Sequence, residues 1–150
     1  MSCFTTGVTV VTAHTQGQDW GMTCNSFNTV SLDPAMVLWS VRKTSLSHEA
    51  FVNAGGYMVN VLGAQQKDVA LKFAQGTQAE RFADQSLVRG LNQHPRLDGV
   101  IAWFDCRIAQ VVSAGDHDIL IGEVLDFGVH TGHGLAYAQR SFGVLAPMED

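Results

Sequence analysis

Four small heteroatom-bearing residues in a row, Thr23-Cys24-Asn25-Ser26, close a β-patterned run that begins at Trp20. Such a run makes a poor apolar core. It makes a good wall for a flat, heteroatom-rich ligand, because side-chain and backbone donors and acceptors lie close to the strand surface. A solvated edge strand accounts for the same composition. A second group, Arg42-Lys43-Thr44-Ser45-Leu46-Ser47, leaves an apolar run and enters a helical pattern. Cationic side chains, hydroxyls and free N–H groups at a helix start together suit a phosphate, with an exposed turn and ordinary cap as the alternative. The third group, Gly115-Asp116-His117, sets a histidine in a hairpin, where most imidazoles are simply solvated. The fourth is Tyr137, Arg140 and Phe142 ahead of Gly143, which reads equally well as a last strand closing the core.

Other chemistry is poorly served. There is no G-x-G-x-x-G, no Walker loop and no G-x-S-x-G elbow, and no two carboxylates are paired for acid/base work. His130 and His133 share a turn but lack further ligands nearby, so no metal site is expected. Cys3, Cys24 and Cys106 show no paired spacing, which argues against a disulfide framework. Nine basic against fourteen acidic residues, with no basic run longer than Arg42-Lys43, argue against a nucleic-acid surface. No apolar run could cross a bilayer and no signal peptide precedes Thr6, so a cytoplasmic protein without membrane contact is expected.

These residues need a scaffold, and β patterns supply it. Val8 to Ala13 and Trp20 to Phe27 flank a Gln16-Gly17-Gln18-Asp19 loop. Met36 to Val41 reads as a buried strand introduced by Asp33-Pro34. Leu46, Ala50, Phe51 and Ala54 recur at helical spacing, with Ser45 or Ser47 as cap and Gly55-Gly56 as terminator. A strand over Tyr57 to Leu62 precedes a short helix over Lys67 to Ala74, with Val69, Phe73 and Leu71 inward. Gln75 to Arg96 is the most loop-like stretch. Val100 to Val112 and His117 to Val129 are long strands, the first with Phe104 and Cys106 on one face and Trp103, Asp105 and Arg107 on the other. Residues 1–150 thus read as one mainly β, antiparallel, barrel-like domain with two or three short helices. A charged share of only 15 %, with aromatics such as Trp39, Trp103 and Phe104 beyond what a small barrel needs inside, points to a dimer.

Taken together the segments resemble the flavin reductase-like, FMN-binding split-barrel family, which supplies reduced flavin to two-component monooxygenases. The resemblance is carried by Phe4 to Thr12, by Gly21 to Phe27 with Val30-Ser31-Leu32-Asp33-Pro34, by Val59-Asn60-Val61-Leu62, and by Ala114 to His117 with Ile121-Gly122-Glu123-Val124. It implies a homodimer of Greek-key split β-barrels with FMN or FAD near the subunit interface and NADH or NADPH as donor. Thr23, Cys24, Asn25 and Ser26 would line the isoalloxazine and ribityl chain. Arg42, Lys43, Ser45, Ser47 and His48 would hold the phosphate end. His117 matches a histidine beside the nicotinamide, and Arg140 with Phe142 a terminal element near the ring. Cys24 stands where alanine or serine is commoner and Phe142 where tyrosine is usual, and Thr6-Gly7 comes almost at once where the family has a first helix.

The expected activity is NAD(P)H-dependent flavin reduction, with the product passed to a partner monooxygenase. A flavin-binding electron-transfer or sensory module without its own nicotinamide turnover is the alternative, and a flavin-dependent oxidase the third reading.

Overall fold

The computed structural model describes all 150 residues. Its elements in chain order are β1 (Thr6–Gly7), β2 (Thr9–Thr15), β3 (Gln18–Cys24), β4 (Asn28–Leu32), β5 (Ala35–Arg42), α1 (His48–Asn53), β6 (Gly56–Val61), α2 (Lys67–Lys72), α3 (Gln78–Phe82), β7 (Leu87–Arg89), β8 (Pro95–Leu97), β9 (Ala102–Ala114), β10 (His117–Val129), β11 (Leu135–Ala138) and β12 (Ser141–Val144). Seven strands form the main sheet in the order β3-β2-β6-β9-β10-β5-β4, every pair antiparallel. Strands β1, β11 and β12 make a second small sheet, and β7 pairs with β8. The mainly β, antiparallel expectation with short helices holds. No helix is long and apolar enough to cross a membrane.

The sheet must curl. Its outer strands β3 and β4 are consecutive in sequence, and from Cys24 to Asn28 the chain can reach only about 15 Å. Seven flat strands would be about 29 Å wide. The gap closes through Ser26, whose Oγ accepts from the Ser40 N–H (3.0 Å) and donates to the Ser40 carbonyl (3.3 Å). Phe27 then stacks on Phe104 at 5.6 Å between centroids. The remaining outward edge of β3 is covered by the helical segment. Gly21 N–H donates to Gln78 Oε1 (2.9 Å), Arg81 donates to the Gly21 carbonyl (2.7 Å), and Thr23 N–H donates to the Phe73 carbonyl (3.1 Å). A side chain at position 21 would meet the Phe73 ring at 2.7 Å, so this close approach needs glycine.

Successive residues of β2 face different cores. Val11 and Ala13 join Trp39, Phe51, Tyr57 and Leu120 inside the curled sheet, while Val8 and Val10 join Ala70, Phe73, Leu97 and Leu135 under the helices. This is why β2 is buried without a break from Thr9 to Ala13 instead of alternating. Four of the hairpin turns, β2–β3, β4–β5, β9–β10 and β11–β12, shrink to two residues each. In β2–β3, Gln16 (φ 52°) and Gly17 (φ 73°) both adopt the left-handed backbone that matches strand twist, so Gln18 and Asp19 belong to the strand and not the loop. Trp20 to Phe27 likewise ends as a strand at Cys24, since residues 25–27 form the link across the gap.

Several expectations are corrected. Leu46 is 97 % exposed and faces away from the core, because the helix starts only at His48. Met36 to Val41 alternates between buried and half-buried positions. Leu71 is exposed and not inward. Gln75 to Arg96 is not a bare loop: it holds α3 and the β7–β8 hairpin. Thr77 caps α3 by accepting from Glu80 N–H (3.2 Å), a Thr-x-x-Glu pattern visible in the sequence. Long-range bonds pin the rest. His14 N–H donates to Nδ1 of buried His94 (2.9 Å), Leu97 N–H donates to Asn60 Oδ1 (2.8 Å), and Arg89 grips both oxygens of Asp19 (2.6 and 2.8 Å).

That packing also buries Asp105, expected on a half-exposed face, because residues 90–91 cover it. Leu91 N–H donates to its Oδ2 (2.7 Å) and its Oδ1 has no partner. Burial raises the Asp105 pKa from 3.8, the Leu91 N–H opposes this and the charge of Asp126 adds to it. The folded chain therefore binds this proton more tightly than the unfolded one. The associated stability is complete below pH 3.8 and is lost as the pH rises through the elevated value. Asp105→Asn should raise Tm by on the order of 2–4 °C at pH 8 and by under about 1 °C at pH 3.5. Equal gains at both pH values in differential scanning fluorimetry would show that ionisation is not the cause.

Candidate functional site

The structure sorts eleven of the twelve site residues expected from sequence into two groups, with Ser26 between them. The first lines a cleft of about 390 Å³ bounded by Val8, Thr23, Cys24, Asn25, Ala70, Leu71, Ala74, Tyr137, Arg140 and Phe142. Its two walls are the end of β3 and the face of α2, and the β11–β12 hairpin forms its rim. Thr23 is tied in by its hydroxyl, which donates to the Ala70 carbonyl at 2.6 Å. Cys24 Sγ lies 3.1 Å from Thr9 Oγ1, and burial raises its pKa, so it presents a neutral thiol and no nucleophile. Arg140 sits at a hairpin tip where Gln139 (φ 51°) and Arg140 (φ 62°) both hold a left-handed backbone without glycine. A non-glycine residue there costs on the order of 1 kcal/mol, and it puts Arg140 on the rim of the cleft. Phe142 packs on Tyr137 at 5.1 Å, and Lys67 Nζ stands 5.8 Å over its ring.

The second group gathers where β5 runs out. Arg42 pairs in register with His117, and Lys43 N–H donates to the Asp116 carbonyl at 2.9 Å. The basic turn and the Gly115-Asp116-His117 hairpin, read separately from sequence, are thus one cluster. Lys43 Nζ donates to Ser113 Oγ (2.6 Å) while remaining exposed. His117 Nδ1 lies 2.7 Å from Asp116 Oδ1, and this hydrogen bond holds the Asp116 carboxyl below its ordinary pKa. His48 Nε2 meets Asp118 Oδ2 at 2.6 Å, so that imidazole faces a carboxylate. Ser47 N–H donates to Ser45 Oγ (3.2 Å).

Ser26 joins the two groups without lining the cleft: its hydroxyl is committed to Ser40, two residues and about 7 Å along β5 from Arg42. Sequence reasoning missed the α2 wall, Leu71 and Ala74 above all, and missed Gln78, whose amide spans from Gly21 to Ser47. The apolar spacing of α2 carried a signal for the wall. Nothing local marked Gln78.

This architecture can be set beside known proteins. Residues 1–146 match the model of the flavin reductase like domain. The chain belongs to that family. This flavin reductase-like domain is 46 % identical over 140 residues to the reductase component of the flavin-dependent trigonelline monooxygenase of Acinetobacter baylyi, covering 93 % of this chain and 45 % of that protein. It is 42 % identical over 143 residues to an FMN reductase (NADH) of Agrobacterium fabrum, covering 95 % of this chain and 81 % of that one. It superposes on a Streptomyces globisporus NADH:FAD oxidoreductase, solved with NAD and FAD fragments, with a TM-score of 0.92 at 34 % identity. That match covers 99 % and 90 % of the two chains. The domain spans about half the length of some of the curated relatives it matches.

A flavin fits the residues present. The cleft mixes aromatic and aliphatic walls with Thr23, Asn25 and Arg140, which suits a flat ring edged with acceptors and donors. Ser26 and Gln78 tie its β3 wall to β5 and the turn that carries two cations and two serine hydroxyls, groups suited to a phosphate.

Proposed function

We propose that this domain is an NAD(P)H-dependent flavin reductase whose product serves a flavin-dependent monooxygenase. The observation that carries this is that Ser26 and Gln78 tie the β3 wall of the cleft to β5 and the turn bearing Lys43 and Ser45, and that turn is hydrogen-bonded to the His117 hairpin. When bound, FMN or FAD supplies the two-electron chemistry, taking a hydride from the nicotinamide. Thr23, Cys24 and Asn25 form the wall against the ring, and Arg140 with Phe142 bounds its open side. Arg42, Lys43, Ser45 and Ser47 hold the phosphate, with His48 steadied by Asp118 at their edge. His117, at the hairpin end, orients the nicotinamide carboxamide. Relatives named FMN reductase (NADH) and reductase component of a monooxygenase support the same reading. Steady-state oxidation of NADH and NADPH with added FMN or FAD tests it. A protein that holds flavin but oxidises neither nicotinamide is the non-catalytic module instead.

The reading includes a homodimer in the cytoplasm. Trp39 does not support the dimer as expected from sequence, being fully buried against Phe51 and Tyr57, and Trp103 and Phe104 are partly buried. The support comes from β4 and the end of β10, where Leu32, Phe127 and Val129 are 94 %, 63 % and 74 % exposed. Aliphatic and aromatic groups this open suit burial against another subunit. Light scattering with flavin bound should give twice the chain mass at micromolar concentration, and a stable monomer would overturn the dimer.

A further inference from the structure

Gln78 opens α3, outside both groups of the candidate site, yet its amide touches the frame of each. Oε1 accepts from Gly21 N–H (2.9 Å), two residues before Thr23, and Nε2 donates to Ser47 Oγ (3.0 Å). The backbone N–H can only donate, so it fixes which end of the amide faces β3 and leaves the NH2 end for Ser47. Ser47 Oγ is thereby an acceptor toward Gln78. Its own proton must be given elsewhere, and no carbonyl or carboxylate of the chain takes it. Ser45 is in a similar position, its Oγ accepting from Ser47 N–H. Both hydroxyls thus keep a proton to donate, two and four residues after Lys43 in the same turn, a set of donors that suits an anion.

We propose that Gln78 is a positioning residue for the flavin phosphate: it fixes Ser47 as a hydrogen-bond donor and locks the basic turn to the β3 wall. This rests on the reading that the turn from Arg42 to His48 holds the phosphate. Gln78→Glu separates the two roles of the amide. A carboxylate still accepts from Gly21 N–H, but it would draw the Ser47 proton to itself and away from the phosphate.

The test measures FMN and riboflavin dissociation constants, by flavin fluorescence quenching, for Ser47→Ala, Gln78→Glu and the double variant. Each single change should weaken FMN about tenfold and riboflavin less than about twofold. The double variant should be within about twofold of Ser47→Ala, since the two act through one hydroxyl. A Gln78→Glu loss that persists in full in the Ser47→Ala background is charge repulsion or misfolding and overturns the proposal. So does a loss shared equally by FMN and riboflavin. If Ser47→Ala discriminates FMN from riboflavin and Gln78→Glu does not, the phosphate reading stands and the role of Gln78 falls. If Ser47→Ala leaves both ligands unchanged, the phosphate reading itself fails. Should Gln78→Glu not fold, Gln78→Met replaces it: it retains the length, loses both bonds, and must still weaken FMN selectively.

Discussion

Replacing Lys43 and Ser45 together by alanine should raise the FMN dissociation constant about tenfold to a hundredfold and leave riboflavin within about twofold. A hydrogen bond to a charged group contributes roughly 1.5–3 kcal/mol, which is one to two decades of affinity. Lys43 is exposed and held only by Ser113 Oγ at 2.6 Å, a neutral partner that a phosphate would readily displace. Ser45 Oγ accepts from Ser47 N–H, so its proton is free to donate. The backbone of the turn is anchored independently, through Lys43 N–H on the Asp116 carbonyl, so losing two side chains should not unfold it. Isothermal titration with both ligands checks the prediction. Equal losses for FMN and riboflavin would mean that the basic turn is not the phosphate site.

His117→Ala should slow reduction of the bound flavin by NADH about tenfold to a hundredfold while changing flavin affinity less than about threefold. The first strand residue after a two-residue turn, His117 pairs with Arg42 across the sheet and is oriented by Asp116 at 2.7 Å. That bond fixes the ring through Nδ1 and leaves Nε2 for a ligand. One contact made at the transition state is worth on the order of 1–3 kcal/mol, which sets the expected range. A solvated hairpin histidine predicts less than about a twofold change. Anaerobic stopped-flow reduction, with flavin affinity measured in parallel, distinguishes them. An unchanged rate rejects the role, and lost flavin binding would move His117 to the cofactor side.

What could be read from the sequence was governed by how local the signal was. The paired long strands β9 and β10 were legible because Gly115-Asp116 and the flanking periodicity sit within one short window. The polar end of β3 was legible for the same reason, and Thr23, Cys24 and Asn25 do line the cleft. Leu46 misled because its spacing fits a helix that begins only two residues later. Asp105 misled because alternation reports a face as open unless something distant covers it, and here residues 90–91 do. His94 and Gln78 carry no local mark at all. Their partners, His14 and Gly21, lie 80 and 57 residues away. The junction of the basic turn with the His117 hairpin is likewise a matter of strand order, since β5 and β10 become neighbours only in the folded sheet.

The helical cover on β3 has a consequence for assembly. A sheet with two bare edges can propagate, each added copy offering a fresh edge to the next. Here Gln78, Arg81 and Phe73 occupy the hydrogen-bonding groups of one edge, and only β4 at the other end stays unpaired on its outer side. Strand addition through the main sheet is self-terminating: two β4 edges can meet once, and the joined pair offers no further main-sheet edge to a third copy. The chain can therefore carry exposed Val30 and Leu32 on an edge strand, residues that would invite filaments in a sheet open at both ends, and limit any such contact to a closed pair.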